Sequence, residues 1–369
     1  MNVAFVNRSL GMRRGGGEIW DLEMARSLQS MGVNVTIYTG KPMTKNLDKP
    51  IDLPVKNVVS PFLYDLGYAA PVGVGGVITD LDRFLFYIRL TRCLGDEHDV
   101  VHLNGYPELL RIKSRVDVPV TIKLNGPPHS LFYDYIHPLK SSYSWLEQAD
   151  EVIATGVTTE AIRSEAGIDA VTINPGVDTD RFAPEGPERD TSGPTILWVG
   201  RFVPAKNLLD LVKAFETIKD ERPNAKLWLV GEGPQKSRMK NHVERRNLGD
   251  AVTFWGYVHN DNLPPFYRAA DVFVLSSKTE NHPIALMEAM SCGTPSVVPE
   301  VGWIPKMCDE TASCRLIPPE DPDALACALE RTLEKEPAVD GDSRQRSVES
   351  FSWDRRAEML RTVFERVIE

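Results

Sequence analysis

The 369-residue sequence has no apolar run near the roughly 18–20 residues that cross a bilayer. Its first residues, MNVAFVNRSL, lack the basic start and long apolar stretch of a secretory leader, so a cytoplasmic protein is expected. Basic charge is short: 42 Lys and Arg face 52 Asp and Glu, a formal charge of −10. Nucleic acid is therefore not expected as a partner, because a duplex-binding surface needs clustered positive charge. Cysteine is scarce as well. The five, Cys93, Cys292, Cys308, Cys314 and Cys327, form no C-x2-C pair. Neither a zinc site nor a disulfide framework is supported, and reduced, mostly buried thiols are expected. Two nucleotide fingerprints are missing too. Gly11 and Gly16 have Walker spacing, but Gly17-Glu18 stands where Lys-Ser/Thr belongs. Gly73-Val74-Gly75 is followed by Ile78 at the third glycine position of a dinucleotide loop.

What remains is ordinary globular composition, 42% apolar and 25% charged, long enough for two domains. Short β-branched runs alternate with helical patterns. The runs in the first half are Val3–Val6, Val33–Tyr38, Val100–Leu103, Pro119–Leu124, Glu151–Ala154 and Val171–Asn174. Those in the second are Ile196–Val199, Leu227–Val230, Val252–Trp255, Val272–Leu275, Ser296–Val298 and Arg315–Ile317. Apolar runs without polar alternation suit strands buried on both faces of a parallel sheet. Helices such as Ile19–Met31, closed by Gly32, and Asn207–Lys219 lie between them. The rhythm predicts doubly wound α/β architecture. It breaks once, at residues 174–194, where proline and glycine replace apolar residues in the manner of a linker. Two Rossmann-like domains follow, 1–175 and 176–352, with a C-terminal amphipathic helix over 353–369 crossing back to the first. Their carboxyl strand ends would face a cleft, where open α/β sheets take ligands.

The chemistry-bearing residues fall in loops after strands. Glu280 and Glu288 are separated by seven residues in ENHPIALME, with Pro283 suited to a first helical turn. Backbone N–H groups near His282–Ala285 make a phosphate site there. For an isolated pair, favourable placement against the helix dipole, worth about 0.3–1 kcal/mol, is the plainer reading. Arg201 and Lys206 follow the first strand of the second half. Surface charges are the ordinary reading, but at the end of a central strand they reach a diphosphate. Gly231 and Gly233 in VGEGP permit a tight turn and close backbone approach. In the first half, Gly15, Gly16 and Gly17 open a helix toward an anion. Asp178-Thr179-Asp180 matches a D-x-D metal pattern that is common by chance, so no metal is assigned.

Strand–GGGE–helix, NPGVD…F, VGR…K, VGEGP, Gly256-Tyr257-Val258, E-x7-E followed by AMSCGTPSVV, and a terminal FSW helix occur in this order. Together they resemble the retaining GT-B glycosyltransferases, which include bacterial glycogen synthases, sucrose-phosphate synthases and the mannosyltransferases of lipid-linked glycan assembly. The resemblance implies that a nucleotide-sugar donor binds the second domain and the acceptor the first. Glu288 would hold the ribose hydroxyls and Glu280 the donor sugar. Arg201 and Lys206 would neutralise the diphosphate without a metal, and no cofactor is implied. Tyr257 and Val258 would line the base. His282, Ile284 and Ala285 would offer amides to sugar and phosphates, and Gly16 and Gly17 would approach from the first domain. The family usually carries a histidine after a first-domain strand; VTIKLNGPPHS has Asn125 there, with Gly126 retained and His129 and His102 as the nearest histidines. Asn125 can hydrogen-bond but cannot exchange a proton near neutral pH. The residues do not identify the acceptor, which would be a glycan, a lipid-linked glycan or a small molecule. The helix around Arg83–Leu94 suits either peripheral contact with the cytoplasmic face of a membrane or, more commonly for such helices, plain coverage of the sheet. A nucleotide-sugar epimerase or hydrolase, and a non-catalytic sugar-nucleotide binder, are the alternatives.

Overall fold

A computed structural model describes residues 1–8, 10, 16–40, 52–58, 72–105, 107–125, 142–311, 314–334 and 349–369. The chain divides into two compact units, Met1–Pro175 with Trp353–Glu369, and Gly176–Ser352. The first contains β1 (Asn2–Val6), α1 (Gly16–Ser30), β2 (Asn34–Thr39), β3 (Val55–Asn57), α2 (Val72–Cys93), β4 (Val100–Asn104), β5 (Val120–Leu124), β6 (Glu151–Ala154), α3 (Val157–Ala166) and β7 (Val171–Thr172). Two 3-10 segments, Pro107–Arg115 and Ser142–Gln148, flank β5. The strands form one parallel sheet in the order β3-β2-β1-β4-β5-β6-β7. The order reverses between β1 and β4, the switch point at which α/β sheets open a crevice.

Strand alternation explains the apolar runs. Val3 and Phe5 of β1 enter a core with Trp20, Met24, Ala25 and Leu28 of α1, while Ala4 and Val6 enter a second core with Phe86 and Leu90 of α2. Side chains alternate across a strand, so a sheet covered on both faces is apolar at most positions of either parity. α1 ends where Gly32 takes φ +82°, and the Val33 N–H returns to the Leu28 carbonyl at 3.0 Å. The final helix of the chain, Trp353–Ile368, packs Trp353, Ala357, Leu360, Val363 and Phe364 into the α1 core.

The second unit contains β8 (Thr195–Val199), α4 (Leu208–Glu221), β9 (Lys226–Val230), α5 (Lys236–Arg245), β10 (Val252–Gly256), α6 (Pro264–Ala269), β11 (Val272–Val274), α7 (Ile284–Ser291), β12 (Ser296–Pro299), α8 (Ile304–Thr311), β13 (Cys314–Ile317) and α9 (Pro322–Glu334). Its parallel sheet runs β10-β9-β8-β11-β12-β13, and the reversal lies between β8 and β11. Ile196 and Trp198 of β8 face one core and Leu197 the other.

Four sequence expectations change. β3, three residues reading VKN, has no apolar run because it is an edge strand beside β2 alone. α2 starts at Val72, well before Arg83, since its first turns carry glycines that argue against helix in isolation. Cys308 and Cys314 form a disulfide with Cα atoms 5.5 Å apart, while Cys93 and Cys327 are exposed and only Cys292 is a buried free thiol. The bridge joins neighbours in space, α8 and β13, which cysteine spacing does not reveal. The fourth concerns the proline-rich segment, which is not a free linker.

From Gly176 onward that segment is strapped to the second unit. Val177 and Phe182 are buried in the α7 core, Phe182 to 1% exposure. The Arg268 guanidinium donates to the carbonyls of Ala183, Glu185 and Pro187 at 2.8–2.9 Å. Arg189 lies over the rings of Trp255 and Phe266, at 4.2 and 4.5 Å. The strap satisfies its backbone with side chains and scattered backbone bonds, such as the Val177 N–H to the Phe351 carbonyl at 2.8 Å, rather than a continuous ladder, which is why its composition reads as loop. Phe182→Ala is accordingly expected to cost about 3–5 kcal/mol in denaturant unfolding of the chain. A change within about 0.5 kcal/mol, as for an ordinary surface site, would return the segment to linker status.

Candidate active site

In the second unit the polar side chains gather past the carboxyl ends of β8 and β11. Lys206 closes a 3-10 turn, Pro204–Lys206, after β8. The loop after β11 is stitched to that turn: the Lys278 N–H donates to the Ala205 carbonyl at 2.8 Å, and Ser276 Oγ donates to the Lys206 carbonyl at 2.9 Å. These bonds hold Lys206 Nζ in an ion pair with Glu280 Oε1, which also accepts from Ser277 Oγ at 2.6 Å. Behind Glu280 the backbone is crowded. Gly302 has φ +57°, and a Cβ there would sit 1.6 Å from the Glu280 carbonyl oxygen. The Trp303 N–H then donates to the Asn281 carbonyl at 3.3 Å. Only glycine allows this approach, so Gly302 fixes the height of the Glu280 loop.

α7 begins after Pro283, and its first bond runs from the Leu286 N–H to the Pro283 carbonyl, at 3.1 Å. The N–H groups of Ile284 and Ala285 lie ahead of it in the first turn, and His282 precedes the proline. Such N–H groups, with the helix dipole behind them, favour an anion. Glu288 lies one turn further on and is 4% exposed. Asn260 Nδ2 donates to its Oε1 at 2.9 Å, and the Tyr267 hydroxyl donates to its Oε2 at 2.6 Å. Burial raises the Glu288 pKa, with the Tyr267 and Asn260 bonds and the Arg181 charge pulling the other way. Burial and the neighbouring carboxylate push the Tyr267 phenol well above its usual range, so it remains a donor.

Arg201 is exposed on the β8 loop. Tyr257 is 61% exposed after β10, and Val258 packs partly against the α7 core. Gly231 has φ +133° and supports the backbone: a Cβ there would lie 1.9 Å from the Gly200 carbonyl oxygen, and its N–H donates to Gly256 at 2.7 Å. Asp178 of the D-x-D pattern is engaged with Arg181, accepting from its backbone N–H at 3.0 Å and its guanidinium at 2.8 Å.

In the first unit, Gly16 and Gly17 form the first turn of α1. Asn125 follows β5 and donates from Nδ2 to Asn104 Oδ1 at 3.1 Å. Gly15, Gly126 and His129 lie outside the described residues. Asn104 Nδ2 in turn donates to Asp21 Oδ2, which also accepts from Asn7 Nδ2 at 2.6 Å. Lys123 Nζ, fully buried, stands 3.4 Å from Asp21 Oδ1 and 3.9 Å from the Trp20 ring centroid. A carboxylate only accepts, so Asp21 dictates which way the Asn104 amide faces and hence what Asn125 must offer it. His102 lies within β4, not at its end; its Nδ1 is 2.8 Å from Thr121 Oγ1, and burial, then the Lys123 charge, lowers its pKa to about 3. It is a structural, neutral histidine.

Sequence reasoning missed Ser277, Asn260, Tyr267, Gly302 and the Asp21–Lys123 pair. Ser277 was visible as a hydroxyl three residues before Glu280; the others are distant in sequence and carry no local signal.

Two parallel α/β sheets, each with its polar residues at a switch point, define the GT-B architecture. Residues 14–181 match Glycosyltransferase Family 4 and residues 180–349 match Glycosyl transferases group 1. The chain belongs to the GT-B glycosyltransferase family. It is 30% identical over 177 residues to an uncharacterized glycosyltransferase of Methanocaldococcus jannaschii, a match covering 47% of this chain and 45% of that protein. The chain spans about half the length, or less, of the curated relatives it matches. Sucrose-phosphate synthase from Thermosynechococcus elongatus superposes with a TM-score of 0.74 at 22% identity, over 99% of this chain and 98% of that one. Anabaena HepE, solved in complex with UDP, gives 0.75 at 17% identity over 99% and 100%. No described helix is long and apolar enough to cross a membrane.

The buried histidine sets a pH dependence. His102 has a folded pKa of about 3 against an ordinary 6.5. The unfolded chain therefore takes up the proton first. The stability that neutral His102 contributes is fully present above about pH 6.5 and is lost as pH falls toward about 3. Replacing His102 with Phe, amid the rings of Phe5, Trp20 and Phe364, is expected to flatten the acid limb of a stability–pH curve. Parallel curves for parent and variant would remove His102 from the account.

Proposed function

We propose that the chain transfers a sugar from a nucleoside diphosphate sugar to a hydroxyl acceptor, with retention of anomeric configuration. The observation that carries this is the second unit's cluster: Lys206 paired with Glu280 beside Ser277, one helix start away from the buried Glu288. Family membership and the UDP complex of HepE, a protein of the same fold, support it. UDP- or GDP-sugars are the donor class in this reading.

Glu288 takes the ribose, Tyr257 and Val258 flank the base, and the amides of Ile284 and Ala285 meet the phosphates and sugar. Arg201 and Lys206 face the diphosphate. When the bond from C1 to the diphosphate oxygen breaks, negative charge collects on that oxygen. A cation already in place stabilises it without reorganising. Lys206 rests on Glu280 until then; donor binding shifts its hydrogen bonds toward the phosphate and leaves Glu280 to the sugar hydroxyls. The acceptor oxygen bonds to C1 on the face the diphosphate leaves, and its proton passes to the departing phosphate. Such a step requires no protein base, which accommodates Asn125. In the donor complex its amide would donate a hydrogen bond to the sugar or a phosphate oxygen, the part of a histidine's work that needs no proton transfer. The first unit takes the acceptor. A glycan on a lipid carrier is compatible with the half-exposed Leu81 and Phe84 of α2, an apolar pair suited to a membrane surface.

Thermal shift with UDP, GDP and ADP tests the donor class. A nucleotide at 100 times its dissociation constant adds about 2.7 kcal/mol to stability; no shift with any of them would defeat the reading. Lys206→Ala is expected to lower kcat about 100–1,000-fold, with a smaller change in KM. Normal kcat with a raised KM would make Lys206 a ground-state binder. Activity is expected to survive EDTA, and its complete loss, restored by a divalent ion, would defeat the charge assignment. Asn125→Ala should lower kcat severely and His129→Ala mildly; the reverse order would move the role to His129.

A further inference from the structure

The NPGVDTDRF stretch, singled out in the sequence for its family likeness, acquires a use in the second unit. Phe182 plugs the strap into the core, and its neighbour Arg181 is thereby pinned. The Arg181 guanidinium reaches Asp178 Oδ2 at 2.8 Å, Asp261 Oδ1 at 3.1 Å and Asn260 Oδ1 at 2.7 Å. Asn260 then donates from Nδ2 to Glu288 Oε1 at 2.9 Å. A guanidinium only donates and a carboxylate only accepts. The amide between them is thus fixed at both ends, oxygen toward Arg181 and nitrogen toward Glu288. Two aspartates share the guanidinium, whose charge still favours an ionised Glu288. Through Asn260 it also fixes the position of a donor.

We propose that Arg181 and Asn260 are positioning residues that hold Glu288 as an oriented acceptor for two vicinal hydroxyls, so that this site prefers a ribonucleotide to its deoxy counterpart. This rests on the reading of Glu288 as the ribose ligand. A carboxylate has about four acceptor directions, two on each oxygen. Asn260 occupies one on Oε1 and Tyr267 one on Oε2. One direction on each oxygen is left, a pattern that matches the 2′- and 3′-hydroxyls of a ribose. Tyr267 is fixed by the buried wall of α6. Asn260 sits in a short turn, Asn260–Asn262, and needs Arg181 to hold it. The bland alternative is that Arg181 merely ties the strap to that turn, as partly exposed ion pairs do at about 0.2–1 kcal/mol.

Calorimetric titration separates the two. UDP, GDP and ADP are each titrated alongside the 2′-deoxy form, and the pair that binds the parent best is followed. The parent is expected to favour the ribonucleotide by about ten-fold or more, the effect of a lost hydrogen bond to a charged group. Glu288→Gln should reduce that ratio. Asn260→Asp keeps the shape and the bond to Arg181 but turns an acceptor on Glu288; Arg181→Met keeps the length and loses the donors. Both are expected to bring the ratio close to one while deoxynucleotide affinity stays within about two-fold of the parent's. An unchanged ratio in both variants, with Glu288→Gln reducing it, would overturn the positioning role and leave the ribose reading intact. Equal losses for both nucleotides would assign Arg181 and Asn260 to structure alone. A parent that does not discriminate would overturn the ribose reading and this proposal together.

Discussion

Covering a parallel sheet on both faces leaves little room for polar chemistry within it. Most strand positions are apolar, so charged and amide side chains collect chiefly where strands end and backbone groups lose their ladder partners. In both units of this chain the sheet order reverses, between β1 and β4 and between β8 and β11. The loops diverge at that reversal. In the second unit the candidate side chains stand past the strands on either side of it, Lys206 after β8 and Glu280 after β11; in the first, Asn104 ends β4 and Asn125 follows its neighbour β5.

The two units meet the cost of burying those groups in different ways. The first drives a lysine and an aspartate into the interior and surrounds them with amides and an indole ring. A buried pair of that kind is weak evidence for stability but fixes geometry, because removing either partner strands a charge. The second unit stitches loops together. Backbone bonds tie the Glu280 loop to the Lys206 turn, and Gly302 presses against the Glu280 carbonyl. Glu288 is the exception there, a buried carboxylate supported by a phenol, an amide and, through the amide, an arginine from the strap. That chain of donors makes the strap part of the proposed donor site rather than a tether.

Much of the architecture was legible in the residues. Twelve of the thirteen described strands announce themselves as β-branched runs, and Gly32 marks the end of α1 where the backbone turns left-handed. Buried strands must be apolar and helix ends favour glycine, so local composition carries that information. That Glu280 and Lys206 both lie in loops past strands was legible too, because loops after parallel strands share one edge; their direct ion pair was not. Tertiary structure alone decided the rest. β3 has no pattern of its own, since an edge strand is defined by its neighbour. The Cys308–Cys314 bridge depends on where α8 and β13 come together. The strap reads as linker because side chains from elsewhere, chiefly Arg268, satisfy its carbonyls. Asn260, Tyr267 and Arg181 meet at Glu288 from three separate stretches of chain. Hydrogen-bond direction among them follows from which groups only give and which only accept, and that is determined when folding brings them within reach.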